Sequence, residues 1–184
     1  MKELSEIRKI LKEHAGESKA AIKFIPTVGR YYGIKVPLLN KLARKYSYAG
    51  FELVERLWES KILEEQLLAA KILGRICKQN PEKTLKLIKK FVKSIDNWAT
   101  CDTLATQGIR KIIPIKKEEI FKLSETLIKS KNPWQRRFAL VLLTSLAKEK
   151  DNRQRILEIL KQVEKDKNHY VKKAILWVKR SIQI

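Results

Sequence analysis

Asn132-Pro133-Trp134-Gln135-Arg136-Arg137 is the stretch that decides the fold, because its pattern returns along the chain. An Asn, one further residue and an aromatic recur at Asn168-His169-Tyr170, and a close relative stands at Asp96-Asn97-Trp98. The aromatics occupy positions 98, 134 and 170, a spacing of 36. Two residues before each lies Asp96, Asn132 or Asn168, a side chain suited to capping a helix N-terminus. One period further back, Ser60 and Ile62 fill the same two slots, and Arg136-Arg137 matches Lys172-Lys173 just after the aromatic.

Between these starts, apolar residues recur at three and four, as in Leu4, Ile7, Leu11; Leu85, Ile88, Phe91, Val92; and Ile156, Ile159, Leu160, Val163. No segment alternates as a strand does, and Gly16, Gly33, Pro37, Gly50, Pro81, Pro114 and Pro133 fall between segments or near helix ends. The spacing predicts helices over 2–14, 18–28, 37–46, 50–59, 61–79, 82–94, 97–112, 116–130, 133–148, 151–166 and 169–182. Two antiparallel helices per unit and a period near 36 predict an all-α fold, an α-solenoid of HEAT-like helical repeats, forming one domain over 1–184. In such arrays the second helix of each pair lines the inner side of the curve. The helix starts and their cations are therefore expected to gather on a basic concave face.

The charge says what that face meets. Lys and Arg number 41 against 20 Asp and Glu, a formal net charge of +21, which favours a polyanion and above all nucleic acid. A membrane-binding peptide would concentrate its charge on one amphipathic helix, whereas here it is spread throughout. The longest near-apolar run, Phe138 to Ala147, is interrupted by Thr144 and Ser145 and is too short to span a bilayer. Met1-Lys2-Glu3-Leu4-Ser5-Glu6 has no apolar core of a signal peptide, so a cytoplasmic location is expected. Cys77 and Cys101 are isolated and read as reduced, buried thiols. His14 and His169 stand far apart, and no metal-ligand spacing exists; neither metal nor cofactor is expected.

Asp102 does not fit a solvated, basic helix. Positions three and four away hold Trp98, Ala99, Ala105 and Thr106, so no local ion pair explains it. It also lies beyond the first turn of its helix, where the helix dipole fades. Two readings stay open: a cation from a neighbouring helix holds it, or its charge is used on a ligand. The neighbouring residues divide the same way. Trp98 and Trp134 sit at repeat positions where aromatics commonly pack between units. Arg136, Arg137, Lys172 and Lys173 are either solvated or aimed at phosphate beside the helix starts. Trp177 has Lys173 four before it and Arg180 three after.

Taken in series, these residues resemble the AlkD-type DNA alkylation repair family, which are HEAT-like DNA glycosylases. Trp98 and Asp102 match the family's Trp and Asp four apart. Asn132-Pro133-Trp134-Gln135-Arg136-Arg137 matches an Asn-x-Trp-x-x-Arg segment with Arg137 in the Arg slot. Lys173-Ala174-Ile175-Leu176-Trp177-Val178 matches a Lys-Ala-Ile-x-Trp-Val segment. Tyr32-Gly33-Ile34-Lys35-Val36-Pro37 is similar to an early Gly-Ile-x-x-Pro turn, and Trp58 and Gln66 to Ile72 are similar to second-unit helices. The sequence departs at Asn97, where a second Trp is common, at Ala99, often Asp, and at Phe24, where a Tyr is typical. It also ends soon after Trp177, short of a C-terminal repeat common in the family.

The resemblance implies hydrolysis of the N-glycosidic bond of cationic N3- or N7-alkylated purines in duplex DNA, by a monomer. It implies Asp102 as the carboxylate that stabilises the sugar cation and positions water. Trp98 and Trp177 would pack against the lesion nucleotide, and Arg137 would grip a flanking phosphate. Trp134, Arg136, Lys172 and Lys173 would complete the DNA-contacting set. The alternative is a non-catalytic HEAT-like protein that binds damaged or branched DNA.

Overall fold

The computed structural model describes residues 2–18, 23–25 and 29–183. Among these residues the chain is all-α. The one trace of extended pairing is an isolated bridge between Arg30 and Ile62. The α-helices are α1 (Lys2–Glu13), α2 (Val36–Lys45), α3 (Gly50–Glu59), α4 (Leu63–Ile76), α5 (Pro81–Phe91), α6 (Trp98–Thr103), α7 (Lys117–Leu127), α8 (Pro133–Leu146), α9 (Arg153–Lys161) and α10 (His169–Ser181). The helix expected over 18–28 falls largely outside the described residues, and residues 23–25 form a turn and bend.

The repeat is visible in how helices begin. The Asn132 side chain accepts from the Trp134 amide, and the Asn168 side chain accepts from those of Tyr170 and Val171. Ser60 Oγ accepts from the Ile62 amide, the same relation one slot earlier in the series. The slot at Asp96 differs from expectation. Asn97, not Asp96, caps α6, accepting from the Thr100 amide at 3.0 Å. Asp96 instead accepts from the Asn97 amide side chain. Asn97 thereby has a structural reason of its own, since an unsatisfied helix start costs about 1 kcal/mol.

The even-numbered helices α2, α4, α6, α8 and α10 pack side by side in that order, while α3 backs α4 and α7 backs α8. Side-chain bonds between successive units carry the period directly. Trp58 Nε1 donates to Ser94 Oγ and Lys71 Nζ to Gln107 Oε1, both across 36 residues. The Trp58 ring also stacks on Phe91 at 4.5 Å. Helix α8 is the middle of the core. Phe138 to Leu143 are all fully buried, which is why the longest apolar run of the sequence is here and why it shows no polar face. No described helix is long and apolar enough to cross a membrane.

The helix expected over 97–112 is interrupted. After Thr103 it widens into a π-helical segment, Leu104–Gly108, followed by a 3₁₀ turn at Arg110–Ile112. Thr106 Oγ1 donates to the Asp102 carbonyl at 2.6 Å inside this widened stretch. Apolar periodicity does not report a single inserted residue, so the interruption was invisible in the pattern.

A second departure lies at the start of α4. Glu64 and Glu65 are buried to 1 % and 0 % exposure. The Glu64 carboxylate accepts from the backbone amides of Tyr32, Gly33 and Ile34, closing the turn around Gly33, whose φ of 79° suits glycine. Glu65 accepts a two-pronged bond from Arg8 and one from the Tyr32 hydroxyl. These bonds tie α1 and the turn before α2 to α4.

Candidate active site

The capped start of α6 fixes Trp98 as its first helical residue. Its indole is half-buried, and its Nε1 donates to the Phe24 carbonyl at 2.9 Å. Phe24, where the family resemblance implies an aromatic, therefore lies beside Trp98 with its ring exposed. One turn on comes Asp102.

Asp102 has a partner after all, on the next unit. Arg137 Nε donates to Asp102 Oδ1 at 2.9 Å, and Arg137 Nη2 donates to Asp102 Oδ2 at 2.6 Å. Arg137 Nη1 donates to the Tyr170 carbonyl at 2.6 Å. Three successive units are thus stitched through one guanidinium. The two side chains are not equally placed: Arg137 keeps 8 % of its side-chain exposure and Asp102 keeps 21 %. The cation sits behind, and the carboxylate stands at the solvent margin.

That geometry sets the electrostatics. Burial pushes the Asp102 carboxyl above its ordinary value, and the hydrogen bonds and charge of Arg137 pull the other way. A single oriented guanidinium, rather than the basic character of the whole chain, is what opposes the desolvation cost. A carboxylate has about four acceptor sites, and the fork occupies two, so two remain for a ligand or water. Cys101, next to it, is fully buried; burial and the Asp102 charge push its thiol well up, the opposite of what an activated thiolate needs.

The other sequence-predicted residues divide. Trp134 packs between units, its ring 4.9 Å from that of Tyr170. Arg136 is engaged internally: Nε and Nη2 meet the Asp166 carboxylate and Nη1 the carbonyls of Ser130 and Lys131. Neither Arg136 nor Arg137 presents its fork to a phosphate here, because each is taken by a carboxylate one unit away. Lys172 and Lys173 are exposed on the first turn of α10. Trp177 is exposed on the same helix, seven residues after Tyr170 and hence on its face. The structure brings Trp98, Asp102, Arg137 and the start of α10 together.

The partnership of Asp102 with Arg137 was signalled only by the period. Their separation of 35 is one repeat, within one residue. His14 meets Glu17 and His169 packs edge-on to Tyr170. Among the described residues no group of three His, Cys, Asp or Glu is placed to hold a metal ion. Cys77 and Cys101 are both free and buried.

A family model described as DNA alkylation repair enzyme matches residues 5–183. No curated protein matches the chain.

Proposed function

The chain belongs to the DNA alkylation repair enzyme family, and from that premise we propose that it is a monofunctional DNA glycosylase of HEAT-like architecture. Its substrates are cationic N3- or N7-alkylated purines in duplex DNA, which it meets on a basic concave face as a monomer. The observation that carries this reading is the carboxylate of Asp102, held by two hydrogen bonds from behind and open in front, beside the half-buried ring of Trp98.

The chemistry asks little of the protein. The C1′–N bond breaks with its electron pair moving onto the alkylated ring, whose positive charge is thereby neutralised. Positive charge is left on the deoxyribose, as in glycoside hydrolysis. Asp102 offers a preorganised negative edge to that cation. Water then forms the C1′–O bond and gives its proton to Asp102 or to solvent. Arg137 lowers the net charge of the pair, which weakens the attraction. It also fixes the carboxylate plane and keeps it ionised against burial, which strengthens it. Asp102 is the more exposed partner of the pair, so the developing cation meets the carboxylate before the guanidinium and the attraction dominates. Trp98 and Trp177 pack against the lesion nucleotide and offer their ring faces to the developing charge.

One observation favours the alternative, a DNA-binding protein without excision: Arg137 accounts for Asp102 without any ligand. Incubation of the protein with methylated duplex DNA separates the two. Free 7-methylguanine and abasic sites above the spontaneous background support the glycosylase, with Asp102→Asn as the control that binds the duplex without releasing base. Duplex binding with no base release by the wild-type protein supports the alternative.

A further inference from the structure

Helix α4 approaches the π-helical segment so closely that position 74 admits only glycine: a Cβ there would lie 2.1 Å from the Gln107 carbonyl oxygen. That approach brings two pairs of cations together. Lys71 and Arg75 flank Gly74 on one face of α4. Arg110 and Lys111 follow the π-helical segment. With Thr106 and Gln107 they line a cleft of about 250 Å³.

Among the described residues no Asp or Glu lines this cleft. Several cations elsewhere in the chain meet carboxylates: Lys90 with Glu55 and Glu59, Lys116 with Glu82 and Glu119, Arg155 with Glu118 and Glu125. Lys71 has only the neutral Gln107 side chain, at 3.0 Å. Burial, and then the charge of Arg75, hold the Lys71 ammonium below its ordinary value. Like charges gathered around one concavity repel each other until an anion enters. The cleft also has an address. Thr106 lines it, and its hydroxyl donates to the Asp102 backbone carbonyl, so its wall begins one turn along the chain from the backbone of the candidate catalytic residue. One turn is about 5.4 Å, one to two nucleotide steps at the ~3.4 Å rise of a DNA strand.

We propose that Lys71, Arg75, Arg110 and Lys111 form a phosphodiester-binding cleft that holds the backbone of a DNA strand. The phosphate site stands on the cation geometry; its register, beside the nucleotide facing Asp102, rests on the glycosylase reading.

The test uses unmodified duplex DNA, so that base release plays no part in it. Affinity is measured by fluorescence anisotropy over a series of salt concentrations, for wild-type protein and for the triple variant Lys71→Gln, Arg75→Gln, Arg110→Gln. Each lost phosphate contact lowers the log–log salt slope by about 0.9, so the triple variant should lose about two to three units. A control triple, Lys86→Gln, Lys89→Gln, Lys122→Gln, removes the same charge from exposed positions of α5 and α7. It should lose less than one unit. Arg110→Gln alone, at an exposed position, should lose about one unit with unchanged melting temperature, which keeps the test decisive if the triple variant is poorly folded. Equal losses in the two triples, or an unchanged slope in Arg110→Gln, overturn the proposal. So does calorimetric binding of inorganic pyrophosphate that the cleft variants abolish while their duplex affinity is unchanged, since the cleft then serves a free phosphate compound.

Discussion

Arg137 holds Asp102 from the unit behind it, with both carboxylate oxygens taken at 2.9 and 2.6 Å and the third prong on the Tyr170 carbonyl. The arrangement makes Arg137 a positioning residue. Arg137→Gln is expected to lower base release about a hundredfold, the scale of a misplaced reacting group. The direction of the pH effect follows from the two opposing influences on Asp102. With the guanidinium gone, only the smaller effect of the Cys101 thiol still opposes burial, the carboxyl rises further, and the acid limb of the rate profile moves to higher pH. Arg137→Lys returns a charge without the fork and should move the limb back while restoring only part of the rate. A Gln variant with the wild-type acid limb would mean that Arg137 serves stability alone.

Gly74 marks the closest approach of α4 to the π-helical segment. Its missing side chain lets α4 reach the Gln107 carbonyl, and a Cβ would meet backbone atoms, which do not yield as a flexible side chain does. Gly74→Ala should therefore cost about 1–3 kcal/mol despite the better helix propensity of alanine. At this chain length that is a melting temperature lower by roughly 3–10 °C. A melting temperature equal to or above that of the wild type would show that the contact relaxes freely.

The N-terminal network makes an alkaline prediction. Burial, and then its bond to Glu65, push the Tyr32 phenol up to about 12. Its unfolded value is about 10. The folded value is the higher one, so the stabilisation is complete below about pH 10 and is lost as pH rises from there through about 12. Tyr32→Phe should be less stable at neutral pH and should lose less stability over that interval, seen as a flatter dependence of the urea midpoint on pH. Parallel profiles for the two proteins would contradict it.

Much of the fold was legible because the repeat is written in residues that act locally. Asn132 and Asn168 cap the helices they precede, and the apolar spacing marks the faces that pack. The candidate site was legible in its members but not in its wiring. Asp102 lacked a partner within four residues, and the rule for local pairs is silent about a cation one repeat away. Glu64 and Glu65 open a helix, a place where acidic residues ordinarily complement the dipole at the surface. Nothing in their spacing tells that a turn around Gly33 delivers three amides to one and Arg8 to the other. The π-helical segment meets Gly74 of a distant helix, a contact that lies outside any pattern read along the chain.

The most direct measurement is the single-turnover rate of 7-methylguanine release from a methylated duplex, with protein in excess, for the wild type and Asp102→Asn. The account predicts release by the wild-type protein well above the spontaneous rate, and release by Asp102→Asn reduced by at least a hundredfold, with duplex affinity equal or greater. Wild-type release no faster than the uncatalysed reaction, or an Asp102→Asn variant as fast as the wild type, would contradict it.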